Sequence, residues 1–129
     1  MTTLSSVNLF ARDLEGLVAF YAGLFGLAEK TEQRSPIYRA LDAGGVAIGF
    51  NAFDAYGLLN LSGSEAAAGA KSMLTFEAED RAAVARLTGD AVALGAKFVK
   101  PPYDTAYGSL QSVLFDPEGN VFRINAFQP

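Results

Sequence analysis

Two stretches of this chain, ALDAGGVAIGFNAF (40–53) and LFDPEGNVFRINAF (114–127), lie over one another without a gap, and no other feature restricts the fold as strongly. Asp42 meets Asp116, Gly45 meets Gly119, and Asn51-Ala52-Phe53 meets Asn125-Ala126-Phe127. Composition alone would scatter glycine matches, whereas here turn residues and a tripeptide fall in one register. The correspondence extends upstream. Asp13 and Asp80 stand where helix N-caps belong, and Gly26 and Gly95 stand where those helices should end. The chain therefore reads as two copies of one β-α-β-β-β unit.

Hydrophobic spacing fills in the elements. Residues 5–11 alternate as a strand, and Leu14, Leu17, Val18, Tyr21, Leu24 and Phe25 then recur at three- and four-residue steps, the apolar stripe of a helix. The polar stretch 27–34 reads as a charged edge strand, and 37–41 with 46–50 as a hairpin. An Ala-, Gly- and Ser-rich run follows, with a short helical turn near 55–59. In the second copy, 72–78 is a strand, and Val84, Leu87, Ala91 and Leu94 mark a helix with a weak point at Gly89. Residues 97–100 form a strand ended by Pro101-Pro102, a loop runs from Tyr103 to Gly108, and 112–127 is a hairpin turning on Asp116-Pro117-Glu118-Gly119 at a solvent-facing tip. The organisation expected is one domain over 1–129: module one 1–53, connector 54–71, module two 72–129.

One apolar stripe per helix means that each sheet packs its helix on one face and leaves the other open. The class is α+β. Closing the open faces toward each other gives a cupped, roughly eight-stranded mixed sheet with helices outside and a cleft inside.

The composition excludes much chemistry. With no Cys and no His, disulfides, structural zinc, cysteine nucleophiles and histidine acid–base catalysis are ruled out. A net charge of −4 and no basic stripe argue against nucleic acid and anionic membranes as partners. The N-terminus lacks the charged and apolar regions of a signal peptide, so a cytoplasmic location is expected.

Alternation directs Arg39, Asn51, Met73, Thr75, Glu77, Gln111, Val113, Arg123 and Asn125 to the cleft, with Tyr103 and Tyr107 at its rim. A guanidinium removed from water needs an anion. Two readings stand for Arg123: an internal ion pair with Glu77, or, together with Arg39, a bidentate grip on a ligand carboxylate. Met73 reads as apolar lining, Tyr103 and Tyr107 as loop packing or a gate. Asn51 and Asn125 serve equally as strand-end residues bonded to nearby backbone.

The phrases VNLFARDLEGLVAFYAGLFGL, LTFEAEDRAAVARL, KPPYDTAYG and FDPEGNVFRINAF resemble the vicinal oxygen chelate superfamily, which includes glyoxalase I, extradiol dioxygenases and the bleomycin resistance proteins. The resemblance covers nearly the whole chain. It implies metal ligands on the inner strands of metal-dependent members, and carried over they fall at Ser6, Gly49, Met73 and Arg123. Glycine has no side chain, a thioether is soft and a guanidinium is a cation, so neither metal nor other cofactor is expected.

Two classes then remain. One is a metal-independent binder of a small molecule, similar to resistance proteins that pair as homodimers. The other is a metal-free lyase or isomerase using a tyrosine or Glu77 as acid or base, for which the chain shows neither paired carboxylates nor an activated nucleophile.

Overall fold

The structure is a computed structural model that describes residues 1–127 and 129. It divides into two compact units, Met1–Ala68 and Gly69–Pro129. Among the described residues no helix is long and apolar enough to cross a membrane.

In the first unit, β1 (Ser6–Ala11) leads into α1 (Leu14–Phe25), followed by β2 (Tyr38–Asp42), β3 (Ala47–Ala52) and the short α2 (Asp54–Leu58). Asp13 caps α1 by accepting the Gly16 N–H at 3.0 Å, and Gly26 ends it at φ 66°, a left-handed conformation that glycine adopts without a Cβ clash. The strand order is β1-β3-β2, with β1 parallel to β3 and β2 antiparallel to it. Leu17, Val18, Phe20, Tyr21 and Leu24 of α1 are buried, and Tyr21 meets Phe50 of β3 at 5.8 Å between ring centroids. That contact identifies the helix face of the sheet, where Phe50 is in register with Leu9 and Arg39. Burying each such large apolar side chain contributes about 1.5–3 kcal/mol.

The second unit repeats the plan. β4 (Leu74–Glu77) and α3 (Arg81–Ala93) precede β5 (Lys97–Asp104), β6 (Leu110–Phe115) and β7 (Val121–Ala126), in the order β4-β7-β6-β5. Again the unit's first strand runs parallel to its last, and the remaining neighbours are antiparallel. Asp80 caps α3 through the Ala83 N–H at 2.8 Å. Phe122, Ile124 and Leu114 are fully buried on the helix face. Thr88 of α3 bonds the Ser112 hydroxyl of β6 there at 2.7 Å, so a polar residue completes the helix stripe.

Four expectations need correction. The edge strand at 27–34 is absent: Glu29 forms one bridge with Leu41 and Thr31–Gln33 is a 3-10 turn, leaving sheets of three and four strands among the described residues. β5 does not stop at Pro101 but continues to Asp104, with register shifts around the prolines, which an edge strand tolerates because their missing N–H groups need no partner. Leu94 is exposed rather than part of the helix stripe. Asp116 is 2 % exposed, not at a solvent-facing tip. Its carboxylate accepts the Glu118 and Asn120 N–H groups at 2.8 and 3.0 Å and ties the turn shut.

Candidate functional site

The polar residues gather on the sheet faces turned away from the helices, and each unit presents its own set. On the second sheet, register places Thr75, Arg123 and Val113 in one row across β4, β7 and β6. Glu77, Asn125, Gln111 and Tyr103 form the next row, from β4 to β5. This second row is a continuous hydrogen-bond chain. Glu77 Oε1 accepts from Asn125 Nδ2 at 2.9 Å, Asn125 Oδ1 accepts from Gln111 Nε2 at 3.2 Å, and Gln111 Oε1 accepts from the Tyr103 hydroxyl at 2.9 Å. Gln111 Nε2 also donates to the Tyr107 hydroxyl at 3.1 Å. A carboxylate only accepts, so Glu77 fixes the direction of every amide in the row. Asn125 and Gln111 are 3 % and 2 % exposed, and satisfying them is what allows polar groups at that depth.

Arg123 stands apart from this chain. Its Nε donates to Thr75 Oγ1 at 2.9 Å, and among the described residues it has no ion pair. The pairing of Arg123 with Glu77 is therefore not found, because Glu77 gives its two oxygens to Asn125 and to the Phe127 N–H. Met73 lies just before β4 and is 44 % exposed.

On the first sheet, Asn51 shares the open face with Tyr38 and Phe10. Asn51 Nδ2 donates to Asn8 Oδ1 at 3.1 Å and to the Leu9 carbonyl at 3.3 Å, and Asn8 Nδ2 donates to Ser6 Oγ at 3.0 Å. The expectation that Arg39 shares this face is corrected by register: Arg39 lies opposite Phe50 on the helix side. There its Nε and Nη2 bond the two oxygens of Glu29 at 3.0 and 2.7 Å, and Arg34 bonds the same carboxylate at 2.8 and 2.7 Å. Hydrogen bonds from Arg34 and then Arg39 hold the Glu29 carboxyl at a pKa of about 2, below its usual 4.5. The charged edge legible at 29–34 is thus a clamp. Sequence reading missed it because alternation across a segment that is not a strand carries no facing information.

Tyr56 of α2 covers the end of the same open face, stacking on Phe10 at 4.1 Å and meeting Phe53 edge-on at 5.2 Å. Burial pushes its phenol pKa up, with Glu65 adding to the shift and Arg12 opposing it. The helical turn expected near 55–59 is present as α2, and the aromatic spacing at 53 and 56 is the signal that it carries this stack.

The four positions that the resemblance assigns to metal can be tested one unit at a time. In the first, the space above Gly49 is taken: a Cβ there would lie 2.1 Å from Asn8 Oδ1 and 2.6 Å from the Tyr38 hydroxyl, while Ser6 Oγ is engaged by Asn8. In the second, the position on β7 is a guanidinium and that before β4 an exposed thioether. These groups do not fit a divalent ion. Among the described residues no three His, Cys, Asp or Glu side chains come together to hold one.

Comparison with known proteins agrees with this fold. The family model described as Glyoxalase/Bleomycin resistance protein/Dioxygenase superfamily matches residues 3–124. A crystal structure of a glyoxalase/bleomycin resistance protein/dioxygenase family enzyme from Burkholderia phytofirmans PsJN is 46 % identical, covers 98 % of this chain and 99 % of its own, and superposes with a TM-score of 0.95. Lactoylglutathione lyase from Agrobacterium tumefaciens is 21 % identical over 98 % of this chain and 94 % of its own, TM-score 0.74. A hypothetical protein from S. aureus is 17 % identical over 98 % and 94 %, TM-score 0.81. These last two are alike in fold alone. The comparison with curated proteins returned no match.

Proposed function

Because the chain belongs to the glyoxalase/bleomycin resistance protein/dioxygenase superfamily, we propose that it is a metal-independent small-molecule-binding protein whose Arg123 receives an acidic group of the ligand. The observation that carries this reading is a guanidinium on an open sheet face whose only carboxylate neighbour in the adjoining row, Glu77, is already committed to Asn125 and the Phe127 amide. A planar fork with a single hydroxyl partner among the described residues has donors to spare, and a carboxylate matches them bidentately. Gln111, Asn125 and Tyr103 supply a rigid neutral floor beside it, and Tyr107, accepting from Gln111, keeps its own O–H to donate outward. Met73 belongs to the same proposal as lining, whereas Arg39 is withdrawn from it by its bonds to Glu29, and Asn51 stays with the first sheet, bonded to Asn8 and the Leu9 carbonyl.

The test uses benzoate and its neutral counterpart benzamide. Benzoate should raise the melting temperature of the wild-type protein by mass action and leave Arg123→Met unmoved. Equal response to benzamide, or an undiminished response in the variant, would contradict the role of Arg123.

The metal-free lyase or isomerase reading is less well supported, since Glu77 is held as an acceptor within the floor rather than left free as a base. Turnover of methylglyoxal hemithioacetal, measured with and without added divalent metal, separates the classes: none is expected. Self-association belongs to the same proposal, because among the described residues β1 and β4 are edge strands, each paired on one side. Light scattering should return twice the mass of 13.6 kDa.

A further inference from the structure

The open face of the first sheet holds a hollow of about 560 Å³ that the reading of Arg123 leaves unused. Ser6 of β1, Ala47 at the start of β3, Tyr38 and Asp42 of β2, and Lys30 all border it. Backbone pairing explains why they meet. The Lys30 N–H donates to the Ala40 carbonyl at 2.8 Å and the Asp42 N–H to the Ala28 carbonyl at 2.8 Å, on either side of the Glu29–Leu41 bridge. Lys30 therefore faces the same way as Ala40, and so the same way as Tyr38 and Asp42, while Glu29 turns to the helix side and its two arginines.

Three groups in this hollow have chemistry to spare. Lys30 and Asp42 form no ion pair, with each other or with any other described residue. Asp42 Oδ1 accepts the Gly44 N–H at 3.0 Å, which holds the carboxylate in place at the hairpin turn and leaves lone pairs open. The Tyr38 hydroxyl stands over Gly49 with no hydrogen bond among the described residues, while Asn8 beside it is occupied by Ser6 and Asn51. The two charges cancel, so a simple anion or cation entering here gains one partner and meets one like charge. A molecule carrying both charges gains two partners.

We propose that this hollow is a second site, independent of the reading of Arg123, for a small zwitterion of the amino-acid type. Its ammonium group lies against Asp42, its carboxylate against Lys30 with the Tyr38 hydroxyl donating to it, and a short carbon chain runs over Ala47 and Val46. The bare backbone at Gly49 is what leaves room for the phenol to lean across the sheet.

Titrating the full-length, ¹⁵N-labelled protein with glycine, β-alanine and γ-aminobutyrate, and separately with butyrate and butylamine, tests this directly. At least one zwitterion should shift the amide signals of Lys30, Tyr38, Asp42 and Ala47 saturably, and each single-charge probe should bind about tenfold or more weakly, the loss of one charge-assisted contact. Lys30→Met and Asp42→Asn should each reduce zwitterion affinity by a similar factor, with spectra otherwise unchanged confirming that both variants fold. No saturable shift with any zwitterion would overturn the proposal, as would equal binding of butyrate or butylamine, or shifts confined to the second unit. Benzoate binding at Arg123 is read by different signals, so either reading can fail alone.

Discussion

Arg123 and Thr75 lie directly across the parallel β4–β7 pair, and the guanidinium Nε donates to the threonine hydroxyl at 2.9 Å. Since Arg123 has no ion pair among the described residues, Arg123→Met should change the folding free energy by less than about 0.5 kcal/mol, the range of substitutions that break no buried network. Urea denaturation checks this. A loss of several kcal/mol would show that Arg123 is a structural element.

The Glu29 carboxylate carries both arginine forks, and this sets an acid limit on the fold. Its pKa is lowered in the folded state to about 2 from 4.5, so the stabilisation it supplies is complete above pH 4.5 and is lost as pH falls from there through 2. Glu29→Gln should cost about 1–2 kcal/mol at pH 7, since the clamp is partly open to solvent, and should flatten the stability profile in that acid window. An unchanged profile would contradict the clamp.

Gly49 should resist substitution although its backbone is an ordinary strand. A methyl group there meets Asn8 Oδ1 at 2.1 Å and the Tyr38 hydroxyl at 2.6 Å, and Asn8 cannot swing aside without giving up Ser6 or Asn51. Gly49→Ala should therefore cost about 1–3 kcal/mol. In an Asn8→Ala background the same change should cost clearly less, which a thermodynamic cycle measures.

In the floor of the second sheet, Gln111→Leu should destabilise by about 2 kcal/mol, because Asn125 Oδ1 and the Tyr103 hydroxyl lose their partner at depth. Thr88→Val should behave alike toward the Ser112 hydroxyl. Replacing both partners by apolar residues should recover much of that loss, since the penalty lies in the orphaned group.

The duplication, the capped helices and the central strand pairs were legible because each rests on local chemistry: Asp13 and Asp80 as caps, Gly26 as a stop, and alternation along β3 and β7. Facing failed where alternation had no register behind it. Arg39 is one residue out of phase with Asn51 across the β2–β3 pair, a relation set by the hairpin turn and invisible along the chain. Of the two readings of Arg123, the ion pair with Glu77 fails for a related reason: a salt bridge between opposite charges looks natural in sequence, but register gives Glu77 to Asn125 and Thr75 to Arg123. Asp116 carried a turn signature that says nothing about depth, and its burial follows from the Glu118 and Asn120 groups that it gathers inward.

The central claim of the proposal is that Arg123, standing where the resemblance would put a metal ligand, receives a ligand's acidic group without a metal. Isothermal titration of chelator-stripped protein with zinc, nickel and manganese, and then with benzoate, puts it to the question in one instrument. The account predicts no saturable heat from any of the three metals and saturable heat from benzoate that disappears in Arg123→Met. Stoichiometric binding of a divalent ion that Arg123→Met leaves intact, with benzoate silent, would contradict it.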